Sequence, residues 1–261
     1  MSSRSLILFS LLLLFLVSFK SDLSTLSKDA PEGYKKMGVV YCEGKYRQHL
    51  QGIALGNNSI YWSFTTELVR TDEKGKFLKK VEVPYHHGDL THVDGKIYVA
   101  VGFGKWNHID GLADSWVYVY DANDLSEVAR HKTSELVYGA GGIAFHKNRF
   151  LVVGRLPAQV DENYIYEYDR DFKFLKRHTV SSGHTHLGVQ TIEFHDRLFW
   201  LGCYGDTKLI TVDENFNVRG KDVFDASLGI ASKSSKELWV SSNSGSDESG
   251  HSGFITIYKK K

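Results

Sequence analysis

The sequence predicts an all-β fold, a five-bladed β-propeller closed by an N-terminal strand in the last blade. Three observations predict it. One short phrase recurs five times, apolar residues alternate in short runs without a helical stripe, and the fifth copy ends one strand short. Each copy of the phrase has a small or apolar start, a tight polar turn, and a run ending in aromatic and β-branched residues. Gly52-Ile53-Ala54-Leu55 leads to Ile60-Tyr61-Trp62, and Asp89-Leu90-Thr91-His92 to Ile97-Tyr98-Val99. Gly142-Ile143-Ala144-Phe145 leads to Phe150-Leu151-Val152, Thr191-Ile192-Glu193-Phe194 to Leu198-Phe199-Trp200, and Gly229-Ile230-Ala231 to Leu238-Trp239-Val240. Repetition at this scale is the signature of repeat architectures.

Aligning the copies on Ile53, Leu90, Ile143, Ile192 and Ile230 gives spacings of 37, 53, 49 and 38 residues. Four short antiparallel strands fit each interval, which is the size of a propeller blade. Alternation bounded by Gly, Asn and Asp marks the strands. In the third unit they are expected at 142–146, 149–154, 163–169 and 173–180. Leu68 to Asp72 before Phe77 to Lys80, and Tyr164 to Asp169 before Phe174 to Arg177, read as third and fourth strands joined by acid-containing turns. The fifth unit offers strands near 228–232, 237–242 and 253–259, and then the sequence stops. Lys36 to Tyr41 supplies the missing strand, which fastens the chain ends together and removes an open edge. One propeller domain is therefore expected over residues 34–261, with an open β-sandwich as the alternative.

Residues 1–20 read as a secretory signal peptide. Arg4 precedes an apolar run from Leu6 to Phe19, too short for a comfortable membrane span. An uncleaved anchor is the alternative. The expected location is extracellular or in the lumen of the secretory pathway, with no membrane span after signal removal. Asn57-Asn58-Ser59, a glycosylation sequon in a turn, is consistent with this. Cys42 and Cys203 could pair in an oxidising compartment, or stand as two half-buried thiols. The full chain carries a formal charge of +1, and loss of Arg4 and Lys20 makes it −1. Such a balance argues against a nucleic-acid binder, which would show a basic stripe. The expected product is a monomer that takes a small molecule, glycan or peptide.

Propeller geometry nominates a site. The first strand of each blade lines the central channel, so residues before each first strand and after each second strand converge on one mouth. His49 and Gln51 precede the first repeat, and Tyr85, His86, His87 and Asp89 lead into the second. The small run Tyr138 to Gly141 precedes the third. His184, His186 and Gln190 precede the fourth, and Asp225 and Ser227 the fifth. Second-strand exits add Thr65, Gly102, Arg155, Tyr204 and Asn243, and the long insertion after the second blade adds Trp106 and His108. Six of the twelve histidines fall here. Neutral imidazole is a common metal ligand and the usual acid–base group at neutral pH. The expected metal ligands are His49, His86, His184 and Asp225, around one divalent ion, zinc or calcium. The expected catalytic groups are His87, His186, Asp89 and Arg155, with Arg155 as an anion anchor. Gln51, Trp106, Gln190, Tyr204 and Asn243 are expected to touch substrate. For each histidine, bridging between blades is the alternative, because buried backbone must be satisfied. Glu193 lies deeper in its strand and is expected to face a blade interface.

Gln51-Gly52-Ile53-Ala54, Gly88-Asp89-Leu90-Thr91 with Asp94-Gly95-Lys96-Ile97-Tyr98, and Leu228-Gly229-Ile230-Ala231 resemble the inner-strand phrases of secreted glutamine cyclotransferases. They are also similar to repeats of gluconolactonase-like and strictosidine-synthase-like propellers. The resemblance implies the five-bladed fold. It also implies ring-forming, ring-opening or other acyl chemistry, with hydrolase or lyase activity on a small polar substrate. At the position after the first-strand start only Asp89 offers a carboxylate. A non-catalytic sugar- or peptide-binding propeller is the other function these residues allow.

Overall fold

The computed structural model describes residues 28–261, so the leader expected at 1–20 lies outside the described residues. The strands run in order as β1 (Tyr34–Tyr41), β2 (Gly52–Gly56), β3 (Ser59–Asp72), β4 (Phe77–Val93), β5 (Lys96–Gly104) and β6 (Ala113–Asp121). They continue as β7 (Glu127–Lys132), β8 (Ala140–His146), β9 (Arg149–Gly154), β10 (Asn163–Tyr168), β11 (Phe174–Val180) and β12 (His186–His195). The last are β13 (Leu198–Tyr204), β14 (Leu209–Val212), β15 (Val218–Asp222), β16 (Ile230–Ser234), β17 (Glu237–Ser246) and β18 (Gly250–Lys260). The described residues contain no helix, and none is long and apolar enough to cross a membrane.

Each copy of the repeated phrase is a β-hairpin, and its polar turn has a defined geometry. Asn57-Asn58, Asp94-Gly95, Lys147-Asn148 and Asp196-Arg197 all hold both central residues at positive φ. Paired positive φ is the mark of the two-residue turn whose twist matches that of the flanking strands. The turns between third and fourth strands are built on a recurring aspartate. Asp169 Oδ1 accepts the amides of Asp171 and Lys173, both at 2.9 Å. Asp72 does the same for Lys74 and Lys76, and Asp213 for Asn215 and Asn217.

The strands form four hydrogen-bonded sheets where five were expected. Three have four strands, ordered β1-β18-β17-β16, β11-β10-β9-β8 and β12-β13-β14-β15. The fourth is six-stranded, β2-β3-β4-β5-β6-β7. Two departures cause the merger. β3 does not break into the two middle strands expected of the first unit; it runs through Thr65, which holds φ +51°. β4 serves two ladders, pairing with β3 through Lys79 to Glu82 and with β5 through Leu90 to Lys96's partner Val93. His87 is the joint, paired with Thr65 on one side and Val101 on the other.

The architecture is a β-propeller. β2 packs beside β4 and β16, β4 beside β8, β8 beside β12, and β12 beside β16, so the inner segments close a ring. The small residues that begin the repeats permit this approach. A Cβ on Gly142 would lie 2.8 Å from the Gln190 carbonyl oxygen, and one on Gly141 would lie 2.6 Å from that of Val189. The ring is locked as expected by β1, which pairs with β18 from Tyr34↔Lys260 to Tyr41↔Phe254.

The core is five apolar clusters, four of them between neighbouring sheets and one between the two halves of the six-stranded sheet. Trp62 is fully buried between the first and last sheets, and its indole N–H donates to Thr71 Oγ1 at 3.0 Å. Burying a side chain of this size contributes on the order of 2–3 kcal/mol or more, provided its N–H keeps a partner. Cys42 and Cys203 are both free and buried, each in a different cluster, and do not pair. Burial pushes both thiols up to about 12, so they behave as small core hydrophobes.

Candidate functional site

The channel mouth gathers side chains from the first four units and from the β17–β18 hairpin. Arg155 follows β9 directly, and its amide donates to the Gly139 carbonyl at 2.8 Å. This anchors the residue at the entrance. Its guanidinium lies 4.7 Å from the centroid of the Trp106 ring, a cation–π contact. Nη2 donates to Nε2 of His86 at 3.3 Å. Nε is buried without a partner. Burial lowers the Arg155 pKa, and the neighbouring Tyr204 and Tyr85 partly oppose this. No carboxylate pairs with the guanidinium among the described residues.

Arg155 can donate to His86 only if that imidazole is neutral and carries its proton on Nδ1. Burial, and next the Arg155 charge, push His86 down to about 3. The ring is also wedged edge-on against Trp106 and Tyr85, at 4.9 and 5.0 Å. His49 lies nearby and half-buried. Its pKa is lowered by burial first, then by His251, with Arg155 adding in the same sense. Gln51 Nε2 donates to His49 Nε2 at 2.6 Å and to Thr65 Oγ1 at 3.2 Å. The His49 proton is therefore on Nδ1.

Sequence reasoning missed His251. This buried residue faces His49 with ring centroids 6.1 Å apart. Its Nδ1 accepts from Asn243 Nδ2 at 3.0 Å, and Nε2 donates to Asp247 Oδ1 at 2.7 Å. An exposed acid four residues before a histidine in a long hairpin was the available signal.

The structure separates the remaining nominees. His87 is fully buried and bridges the Pro84 carbonyl and the Tyr120 hydroxyl, both at 2.7 Å. It fixes the joint in β4. Gln190 is buried and donates to the carbonyls of Leu187 and Gly188. Asn243 Oδ1 accepts the Leu50 amide at 3.1 Å, so Asn243 ties the first unit to the last. His184 is exposed, with Nδ1 beside the Val160 carbonyl, and His186 is exposed at the start of β12. Asp225 is exposed, caps Ser227 and meets Lys208 at 3.3 Å. The expected ligand set of His49, His86, His184 and Asp225 is not brought together. Among the described residues no three His, Cys, Asp or Glu side chains are grouped to hold a metal ion. Tyr204 is half-buried, close enough to Arg155 for the two to influence each other's protonation.

Asp89 does not reach the mouth. It is buried on the channel axis, where the Ile192 amide donates to Oδ2 at 3.3 Å and Oδ1 has no partner. Burial raises its pKa well above the carboxylate range. Glu193 also departs from expectation, facing the channel and not a blade interface. Burial pushes its carboxyl up to about 8.

The arrangement offers an unpaired guanidinium on an aromatic floor with two neutral imidazoles beside it. A cavity touching Arg155, lined by Tyr138, Tyr164 and Tyr166, is only about 10 Å³, the size of one water. A larger ligand must sit over the mouth.

No protein-family model matches the chain, and no curated protein matches it in sequence. Among solved structures it is similar to a protein of unknown function from Dyadobacter fermentans, with 10% identity and a TM-score of 0.50 over 88% of this chain and 100% of that one. It is also similar to a luciferin-regenerating enzyme, at 11% identity and a TM-score of 0.46 over 84% and 95%. The WD40 β-propeller domain of Doa1 gives 10% identity and a TM-score of 0.46 over 88% and 98%. At these identities the likeness is one of fold alone.

Proposed function

We propose that this chain is a secreted propeller enzyme that takes a small carboxylate-bearing substrate at the channel mouth. The carrying observation is Arg155, whose guanidinium rests on Trp106 and donates to a neutral histidine, with no acid among the described residues to balance it. An unpaired cation with a buried Nε is costly unless a ligand completes it. A carboxylate fits a guanidinium in bidentate fashion. Bound there, it would offset the charge that helps hold His86 and His49 neutral, and so raise both pKa values toward the range useful for acid–base catalysis. His49 has a fixed tautomer, because Gln51 occupies Nε2 and leaves the Nδ1–H as a hydrogen-bond and proton donor. The reaction class is acyl transfer or ring formation and opening, as in cyclases and lactonases, with lyase chemistry as a further outcome.

Although the hydrogen-bonded sheets number four, we infer five blades. The six-stranded sheet counts as two blades fused through β4, since β2, β4, β8, β12 and β16 ring the axis. Secretion is consistent with the exposed Asn57-Asn58 turn of the sequon. The test is calorimetric titration with acetate, lactate and pyroglutamate, followed by turnover assays on lactones and N-terminal glutaminyl peptides. Carboxylate binding lost in Arg155→Ala, together with turnover lost in His49→Ala, supports the enzyme. Binding without turnover supports a ligand-binding propeller. Absence of binding overturns both.

A further inference from the structure

The opposite end of the channel holds a second polar space, unrelated to the mouth. It is a cavity of about 170 Å³ to which all five inner segments contribute. Its polar lining is Glu193 from β12, Thr91 and His92 from β4, and Ser232 from β16, with Phe145 of β8 as the aromatic wall. Glu193 keeps some surface open to this chamber although protein encloses its carboxyl. The Ser232 and Phe194 amides lie close enough to that carboxyl to oppose the rise in its pKa, and no lysine or arginine acts on it. Asp89 lies within electrostatic reach, buried, with Oδ1 unpartnered and again no basic neighbour. His92 Nε2 is buried without a partner, while the ring lies flat against Tyr61 at 5.8 Å and 7°. The channel thus has an uncompensated cation at the mouth and two buried carboxyls without basic neighbours farther in.

We propose that this chamber binds a small organic ammonium ion. The volume is that of a cavity that admits a benzene-sized molecule, roughly 150 Å³, and is far larger than a bare metal ion requires. The acceptors point the same way: a carboxyl on Glu193 and a hydroxyl on Thr91 suit N–H donors. No three metal-ligating side chains are grouped there or elsewhere among the described residues. The Phe145 ring gives a π face to the positive charge or its alkyl group. Ser232 Oγ is already committed, to His195 Nδ1 at 2.9 Å and to the Ser234 carbonyl, so Glu193 and Thr91 carry recognition. The titratable groups facing the space are Glu193, with Asp89 and His92 from β4; β2, β8 and β16 contribute none. Binding therefore drives Glu193 to release its proton to solvent as the ammonium takes its place.

The experiment is calorimetry on the described chain with propylammonium chloride at neutral pH, in two buffers of different ionisation enthalpy. Potassium and calcium chlorides are titrated in parallel. The expected result is saturable ammonium binding with net proton release, weakened at least about tenfold in Glu193→Gln by loss of a charge-assisted hydrogen bond. In the unmodified chain the His92 ring resonances should move along the same binding curve. Three results would each overturn the proposal: calcium or potassium binding tighter than ammonium, Glu193→Gln binding as well as the parent, or His92 resonances unmoved to about 50 mM ammonium, beyond the millimolar range of weak sites.

Discussion

Arg155 donates to Nε2 of His86 across 3.3 Å, a contact that only the neutral imidazole accepts. The pair makes a positive site packed on one side against Trp106. Arg155→Ala should weaken carboxylate binding roughly 10- to 100-fold, the worth of a charged hydrogen bond. Arg155→Lys should recover only part of this, because an ammonium lacks the planar fork. Titrations of both variants at two salt concentrations check the point, and equal affinity in parent and Ala variant would remove Arg155 from the site.

His86 carries a pH signature of its own. Its folded pKa of about 3 lies below the ordinary 6.5. The stability it contributes is therefore complete above pH 6.5 and is lost as pH falls toward 3. Burial also denies the charged ring its solvent, so the loss should reach ~3 kcal/mol by pH 4. His86→Gln keeps an acceptor for Arg155 and should flatten the curve below pH 6.5. Urea melts from pH 7 to 4 on both proteins measure it.

Much of the fold was legible in the sequence because it is written in turns. Asn57-Asn58 and Asp94-Gly95 take positive φ as such pairs do, and the strands of the third unit fall at β8 to β11 within two residues of expectation. The first unit was not legible, because nothing in 59–72 announces that Thr65 bends without ending the strand. Glu193 was misplaced for a related reason. Register shifts on β12 between His186 and Thr191 break the alternation on which face-counting depends. At the mouth, loop position was readable but side-chain direction was not. His86 turns to Arg155, whereas His87, one residue on, turns to Tyr120.

Glu193 should make the protein less stable as pH rises. Its carboxyl is held up to about 8, against an ordinary 4.5. The folded state therefore keeps a proton that the unfolded chain loses between these values. Stability from this group is complete below pH 4.5, declines as pH rises and is gone above pH 8. Asp89, raised by the same burial, acts in the same sense. Glu193→Gln cannot titrate and should hold its melting temperature between pH 5 and 8.5 more evenly than the parent. An unchanged slope would show that the carboxyl is already ionised in the chamber.

Closure of the ring should depend on one hydroxyl at the base of β1. Tyr34 donates to His195 Nε2 at 2.8 Å, and His195 passes its Nδ1 proton bond to Ser232 at 2.9 Å. The three residues sit on β1, β12 and β16, so the relay joins the terminal strand to the fourth and fifth inner segments. The Tyr34 ring also meets Trp200 edge-on at 5.8 Å, and that packing survives removal of the hydroxyl. Tyr34→Phe should cost ~1 kcal/mol, with a melting point lower by about 2–4 °C for a domain of this size. Deleting β1 would remove the whole ladder to β18 and leave that strand as an open edge, so the deletion should aggregate or unfold. Tyr34→Phe separates the two effects, because β1 stays paired while the link to His195 is cut. A melting point within error of the parent would mean that the ladder alone closes the ring.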